Sequence, residues 1–226
     1  MIFRQFFHHE SSTYSYLIAD NQTKEAALID PVKDDTDKYL QILKDLSLKL
    51  IYALDTHTHA DHITALGPLR DATGCKTVIG EGAAAGCASQ YVKDEEVIKV
   101  GSLDIKALKT PGHTIESYCY LMSDRIFTGD TLLIRGCGRT DFQNGDSEDL
   151  YKSLQRLMTL DKTITVYPAH DYKGWTSSSI GEEANNNPRL QFKTMEEFVD
   201  FMNNLNLPNP KMMDIAIPAN LQCGNN

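Results

Sequence analysis

The sequence predicts a layered α/β fold with two sheets and with helices on the outside. Short apolar runs alternate with amphipathic stretches along the first two thirds of the 226 residues, as in chains that stack helices on sheets. Polar clusters follow several of the apolar runs directly. No internal repeat or low-complexity linker interrupts the chain. We therefore expect a single domain over residues 1–226, with a short C-terminal extension from about Asn206.

Eight apolar runs predict strands, because they are short, rich in β-branched and aromatic residues, and bounded by turn-forming residues. The first two are joined by the turn-prone sequence NQTK. In chain order the predicted strands are residues 14–20, 25–30, 50–54, 76–80, 103–110, 117–122, 124–129 and 163–169.

Four stretches predict helices. In the first, Tyr39, Ile42, Leu43 and Leu46 recur at helical spacing, and Asp35 or Thr36 could cap the start. A second helix is expected from about Ile63 to Ala72. The remaining two are SEDLYKSLQRLMT, residues 147–159, and TMEEFVDFMNNL, residues 194–205.

Composition excludes several classes of partner. The net charge of -9, from 31 acidic and 22 basic residues, disfavours nucleic acid, which binds basic surfaces. No apolar run reaches the roughly 18 residues that cross a membrane, and the opening MIFRQFFHHE lacks the features of a signal peptide. The five cysteines are odd in number and show no CxxC pairing, which predicts a reduced, cytoplasmic protein.

The stretch DTHTHADH, Asp55 to His62, holds three of the seven histidines. It follows the apolar run KLIYAL, and in α/β proteins active-site loops follow strands. Three more polar segments also follow predicted strands: TPGHT with His113, FTGDTL with Asp130, and YPAHDY with His170. A single histidine in such a loop is usually structural, and an isolated HxH is weak support for a metal. The whole ordered set predicts a metal site, because imidazole and carboxylate suit zinc, iron or manganese.

This ordered set resembles the motifs of the metallo-β-lactamase superfamily, whose fold is an αββα sandwich. The resemblance extends from LIDPV to YPAHDY and includes His57, His59, Asp61, His62, His113, Asp130 and His170. With GCGRTDF and the tail NLNLPNPKMMDIAIPANLQCG, the chain is similar to the persulfide dioxygenases, also called sulfur dioxygenases. That resemblance implies oxidation of glutathione persulfide with O2 and water to sulfite and glutathione.

The resemblance also implies one Fe(II) per chain, held by His57, His113 and Asp130. Such a 2-His-1-carboxylate triad leaves coordination positions open. His59, Asp61, His62 and His170 are nevertheless all present, so the residues alone predict two zinc ions. If a single iron is bound instead, these four residues would orient its ligands. The alternative function is a zinc-dependent thiolester hydrolase of the glyoxalase II type, although that type carries a longer C-terminal helical region.

The resemblance gives further residues a role. It implies that Arg139 and Tyr172 contact glutathione, and an arginine can bind a carboxylate with two hydrogen bonds. The alternative for Arg139 is a surface ion pair with Asp141. Cys137, between two glycines, is either a redox-sensitive thiol or a small core residue. A homodimer is expected from the resemblance. The expected location is the mitochondrial matrix instead of the cytoplasm if the protein is eukaryotic and a transit peptide has been removed.

Overall fold

The computed structural model describes residues 1–210 and 212–225. The β-strands are β1 (Ile2–His8), β2 (Thr13–Ala19), β3 (Glu25–Ile29), β4 (Lys49–Leu54), β5 (Lys76–Gly80), β6 (Gln90–Val92), β7 (Val97–Val100), β8 (Leu103–Lys109), β9 (Tyr118–Leu121), β10 (Arg125–Gly129), β11 (Thr165–Pro168) and β12 (Ser178–Ser179). The α-helices are α1 (Thr36–Asp45), α2 (Leu66–Thr73), α3 (Ser147–Met158), α4 (Ile180–Asn186), α5 (Met195–Asn203) and α6 (Met213–Asn220).

The strands form two six-stranded sheets. The N-terminal sheet has the order β1-β2-β3-β4-β5-β6, and the C-terminal sheet has the order β12-β11-β10-β9-β8-β7. Strands β3 to β6 run parallel, as do β10 and β11. Parallel neighbours end at the same edge of their sheet, so the loops that follow β10 and β11 lie together at an edge of the C-terminal sheet, and the loop that follows β4 lies at an edge of the N-terminal sheet.

Three apolar clusters separate the layers. The first lies between the sheets, where Tyr16 and Leu54 of one sheet pack with Tyr120 and Phe127 of the other. The second joins the N-terminal sheet to α1 and α2, and the third joins the C-terminal sheet to α3, α4 and α5. Alternate residues of β2 face opposite sides. Ile18 lies in the first cluster, between the sheets, and Leu17 lies in the second cluster, which is called the outer cluster below. The layers are helix, sheet, sheet and helix, as the sequence predicts.

The described residues form four β-strands and two α-helices that the sequence analysis did not predict: β1, β6, β7, β12, α4 and α6. The helix expected from Ile63 begins at Leu66, because Thr64 instead forms a β-bridge with Val32. The tail beyond Asn206, read as a Pro-interrupted extension, contains the helix α6 with Pro218 inside it. No helix formed by the described residues combines the length and apolar character needed to cross a membrane.

The prediction that the cysteines are all reduced is wrong for one pair. Cys87 and Cys223 form a disulfide across a sequence separation of 136, and both lie in or against the outer cluster beside α2. Sequence spacing could not find this pair, because the fold alone brings the tail to α2. Cys75, Cys119 and Cys137 are free.

Candidate metal centre

His57, His113 and Asp130 lie together at the floor of a cleft. One ligand atom from each falls within 4.8 Å of the others. His57 comes from the loop after β4, His113 from the loop between β8 and β9, and Asp130 directly follows β10. The predicted triad is therefore brought together by three separate strand ends.

Hydrogen bonds fix which nitrogen of each histidine faces the cluster. The Nδ1 atom of His113 is 2.7 Å from the carbonyl oxygen of Arg139, and a carbonyl can only accept, so Nδ1 carries the hydrogen. The hydroxyl of Thr56 donates its hydrogen to Asp30. Towards Nδ1 of His57, at 3.0 Å, it can therefore only accept, so that Nδ1 carries the hydrogen. In both rings the lone pair is thus on Nε2, as a metal ligand requires.

Gly138 permits the loop after Asp130 to pass close to the triad. A Cβ atom at this position would lie 2.2 Å from the carbonyl oxygen of Asp130 and 2.9 Å from Nδ1 of His113. No side chain fits in that space. The backbone N–H of Gly138 donates to the Asp130 carbonyl at 2.7 Å, which holds the loop in place.

His59, Asp61 and His62 form a second cluster beside the triad, again with ligand atoms within 4.8 Å of one another. His170 adjoins both clusters: its Nε2 is 3.6 Å from Oδ1 of Asp61 and 3.8 Å from Oδ1 of Asp130. Its Nδ1 donates to the carbonyl oxygen of Ser12 at 3.1 Å. All seven residues of the predicted set thus lie at one site.

Unpaired buried atoms support a cation at this site. Three side-chain atoms here are buried and have no hydrogen-bond partner among the described residues: Oδ1 of Asp130, Nδ1 of His59 and Nε2 of His62. Buried polar atoms are rarely left unpaired, because each lost hydrogen bond costs free energy. In its deprotonated form each of these atoms offers an electron pair that a metal ion can accept.

The histidines differ in pKa. Burial, together with the neighbouring imidazoles of His59 and His113, holds the pKa of His57 well below its ordinary value. The ring is then neutral and able to bind a metal. Burial also lowers the pKa of His62. For His170 burial opposes ionisation, but the carboxylates of Asp130 and Asp61 outweigh it and raise its pKa well above the ordinary value.

Asp30 is a site residue that the sequence analysis did not single out. Its Oδ1 accepts from the backbone N–H of Thr56 at 2.7 Å and lies 3.2 Å from Nε2 of His59. Burial lowers the pKa of His59, but this hydrogen bond and the Asp30 charge raise it to about 9. One signal was available: Asp30 ends the predicted strand EAALID, beside the strand that precedes the histidine cluster.

The triad opens into a cavity of about 420 Å³. Arg139 and Tyr172 line it, as the prediction requires, together with Leu207, Pro208 and Pro210 from the tail. Tyr172 is 74% exposed and stacks on the ring of His170, with the centroids 6.0 Å apart. The sequence alone did not indicate that the tail forms a wall of this cavity.

Cys137 also lines the cavity, and its Sγ is 3.9 Å from Sδ of Met202. Burial raises the pKa of its thiol to about 12. Because the thiolate is the reactive form, this pKa favours the alternative that Cys137 packs as a small residue. Its role as a redox thiol stays a prediction.

The geometry can be set beside known proteins. The family model of the metallo-beta-lactamase superfamily matches residues 10–87 and 88–170. The chain belongs to the metallo-β-lactamase superfamily. The expected αββα sandwich is thereby confirmed, and a metal ion is expected in a protein of this family with such candidate metal-binding residues.

Individual members of the superfamily show which of its proteins this chain resembles. The chain is 45% identical to the mouse protein named "Persulfide dioxygenase ETHE1, mitochondrial", over 99% of this chain and 89% of that one. It is 53% identical to the solved structure of ETHE1 from Myxococcus xanthus, with a TM-score of 0.97 and full coverage of both chains. The resemblance to persulfide dioxygenases is confirmed.

A more distant superfamily member bears on the metal. The structure of TTHA1623, described as a di-iron-bound form, matches with 25% identity and a TM-score of 0.68, over 82% of this chain and 98% of that one. Iron in that protein is paired. The likeness therefore supports a metal at this site without fixing the number of ions in this chain.

Proposed function

We propose that this chain is a glutathione-dependent persulfide dioxygenase. It would oxidise glutathione persulfide with O2 and water to sulfite and glutathione. The observation that carries the proposal is the 45% identity, over nearly the whole chain, to a protein named persulfide dioxygenase. The cleft agrees with it, because a cavity of about 420 Å³ above a three-ligand cluster has room for a small thiol compound.

His57, His113 and Asp130 are the proposed ligands of one Fe(II) ion. When bound, iron supplies the redox change and the open coordination positions that oxygen chemistry needs, and zinc has no such redox change. The chain contributes two imidazoles, whose Nδ1 atoms are held by Arg139 and Thr56, and one carboxylate. Three protein ligands leave room for the substrate.

His59, Asp61, His62 and His170 are proposed to orient the ligands and to handle protons. Thr13 donates to Oδ2 of Asp61 at 3.1 Å, and His62 lies 2.9 Å from the same oxygen. Asp61 is thus fixed beside His170. His170 donates from Nδ1 to the carbonyl oxygen of Ser12, so its Nε2 faces the cleft and can exchange a proton with the substrate or with water.

Arg139 and Tyr172 are proposed to bind the glutathione part of the substrate. Both lie on the wall of the cavity, so contacts there would be compatible with sulfur reaching the triad. The net charge of -9 opposes an anionic substrate, and the Arg139 guanidinium would offset it once the substrate displaces the ion pair with Asp141.

A zinc-dependent thiolester hydrolase remains the second candidate. The observation that favours it is the second cluster, in which His59, Asp61 and His62 offer ligand atoms within 4.8 Å of one another. Two metal ions could be held side by side, and a metal-bound hydroxide is the usual nucleophile of such hydrolases.

Three further predictions rest on the sequence and the resemblance. We propose that residues 1–226 act as one domain, with the segment from about Asn206 as an extension, and that the chain forms a homodimer. We also keep the prediction of a cytoplasmic or mitochondrial-matrix protein. The mouse relative carries the word mitochondrial in its name, whereas the Cys87–Cys223 disulfide removes the argument from reduced cysteines.

The proposal is tested by supplying glutathione persulfide to the purified protein and measuring O2 uptake and sulfite together. We expect one sulfite for each O2 consumed. A parallel assay with a glutathione thioester should show little hydrolysis. Rapid thioester hydrolysis without persulfide-dependent O2 uptake would favour the hydrolase and reject the dioxygenase.

A further inference from the structure

Asn220 lies at the end of α6, and its side chain reaches the histidine-rich loop. Its amide nitrogen Nδ2 donates to the carbonyl oxygens of His59 and His62, both at 2.9 Å. Its Oδ1 accepts from the backbone N–H of Thr64 at 2.8 Å. The side chain is buried, so water does not compete for these hydrogen bonds.

The backbone of this loop is held by only a few side chains. Glu116 accepts from the N–H of Thr58 at 3.1 Å, and Gln143 donates to the carbonyl oxygen of Thr58 at 2.6 Å. Those two contacts fix the part of the loop next to His57. Among the side chains that the structure describes, Asn220 is the one that bonds to the backbone on both sides of Asp61, at residues 59, 62 and 64. The backbone N–H of Lys33 also holds the carbonyl oxygen of Ile63, at 2.8 Å.

The end of α6 is itself fastened to the body of the fold. The carbonyl oxygen of Cys223 accepts from the N–H of Gly67 at 2.7 Å, and Nζ of Lys33 donates to the carbonyl oxygen of Gly224 at 2.6 Å. The Cys87–Cys223 disulfide adds a covalent link. Asn220 is therefore a fixed support and not a side chain on a loose tail.

We infer that Asn220 is a positioning residue, which sets the backbone of residues 59–64 so that their side chains face the metal site. A buried carbonyl that loses its donor is driven to rotate towards another partner. Rotation at residue 59 or 62 would turn the adjoining imidazole away from the cluster. The inference rests on the proposed metal site, but it does not depend on which reaction that site performs.

Amide exchange in the metal-free protein tests the contact itself. Asn220→Ala removes all three hydrogen bonds, so the N–H of Thr64 should exchange at least about 10-fold faster than in wild type. Asn220→Asp keeps an oxygen for the N–H of Thr64 but loses both donors, so protection of Thr64 should largely remain. Unchanged exchange in Asn220→Ala would overturn the inference.

Release of Co²⁺ to a chelator, followed by the visible absorption of the bound ion, tests the consequence for the site. Both Asn220→Ala and Asn220→Asp should release Co²⁺ about 10-fold to 100-fold faster than wild type, and their absorption bands should change. Asn220→Asp is informative because it has nearly the same shape but replaces both N–H donors with an acceptor oxygen that carries negative charge; Asn220→Ala loses the donors without adding that charge, so both variants must release Co²⁺ faster.

Leu43→Ala is the matched control for a general loss of stability. Leu43 is buried in α1 within the outer cluster, so its truncation should lower the melting temperature without changing Co²⁺ release. Wild-type release rates in both Asn220 variants, or equally fast release from Leu43→Ala, would overturn the positioning role. Because neither persulfide nor O2 is used, failure of the dioxygenase proposal leaves these readouts intact.

Discussion

Arg139 and Asp141 form a two-armed ion pair, with Nε to Oδ1 and Nη2 to Oδ2 both at 2.7 Å. This is the pairing that the sequence offered as the alternative to glutathione binding. The same guanidinium donates from Nη1 to the carbonyl oxygen of Pro208 at 2.7 Å and lies over the ring of Phe142. Arg139 therefore lines the cavity and also ties the tail to its wall, and substrate contact has to be separated from this second role.

Arg139→Ala should raise the KM for glutathione persulfide by about 10-fold, if one charge-assisted contact to the substrate is lost. O2-uptake titrations with glutathione persulfide and with a small persulfide lacking its carboxylates separate the two roles. The small substrate should be much less affected. Asp141→Asn is the control, since it weakens the ion pair but leaves the guanidinium in the cavity. Equal losses on both substrates would assign Arg139 to the support of the tail.

His57→Ala, His113→Ala and Asp130→Ala should each leave the site without metal. Each removes one of three protein ligands, and little redundancy remains. Elemental analysis of the purified variants measures this, with His9→Ala as the control because His9 is exposed and lies outside the cluster. A variant that keeps both iron and activity would remove its residue from the ligand set.

Asp61→Ala, His62→Ala and His170→Ala should keep much of the metal but lower kcat by about 10-fold to 100-fold. In the proposed single-metal site these residues orient ligands and move protons. Metal content and O2 uptake measured on the same samples test this. If His62→Ala lost all of its metal, His62 would be a direct ligand and the two-metal alternative would be favoured.

Asp20→Asn should lower stability at neutral pH and lose this effect in acid. The backbone amides of Ser102 and Gln22 donate to the Asp20 carboxylate at 2.6 and 2.8 Å and hold its pKa well below the ordinary value. A lowered folded-state pKa contributes stability above the unfolded-state value of about 3.9; the contribution declines below that value and is fully lost only as the pH falls through the folded-state pKa.

Urea unfolding of Asp20→Asn and wild type between pH 7 and pH 3 measures this dependence. The midpoints should differ at pH 7 and converge towards pH 3. Asp45→Asn, an exposed carboxylate at the end of α1, should show no comparable convergence. A difference for Asp20→Asn that is the same at both pH values would contradict the assigned cause.

Most of the fold was predictable because its central strands and large helices show clear local sequence patterns. Strands such as β4 and β10 are short apolar runs, and α3 shows helical spacing of apolar residues. Other elements were missed because they lack such a local pattern. Strand β12 has only two residues, and α6 contains Pro218, which local rules treat as the end of a helix.

The metal-binding side chains were predictable, because their residue types and their positions at strand ends are visible in the sequence. Histidine and aspartate at strand ends predicted the cluster, and the fold brings all seven residues together. The supports were not predictable. Asn220 meets the loop across about 160 residues of sequence, and the Arg139 contact to Pro208 spans 69. No local pattern encodes such contacts, because they depend on where α6 and the tail pack.

Elemental analysis of protein purified without added metal is the most direct test of the central claim. We expect about one iron per chain and little zinc, because three ligands and an open site suit a single Fe(II). Two zinc ions per chain with negligible iron would contradict it, and would place His59, Asp61, His62 and His170 among the ligands of a hydrolase.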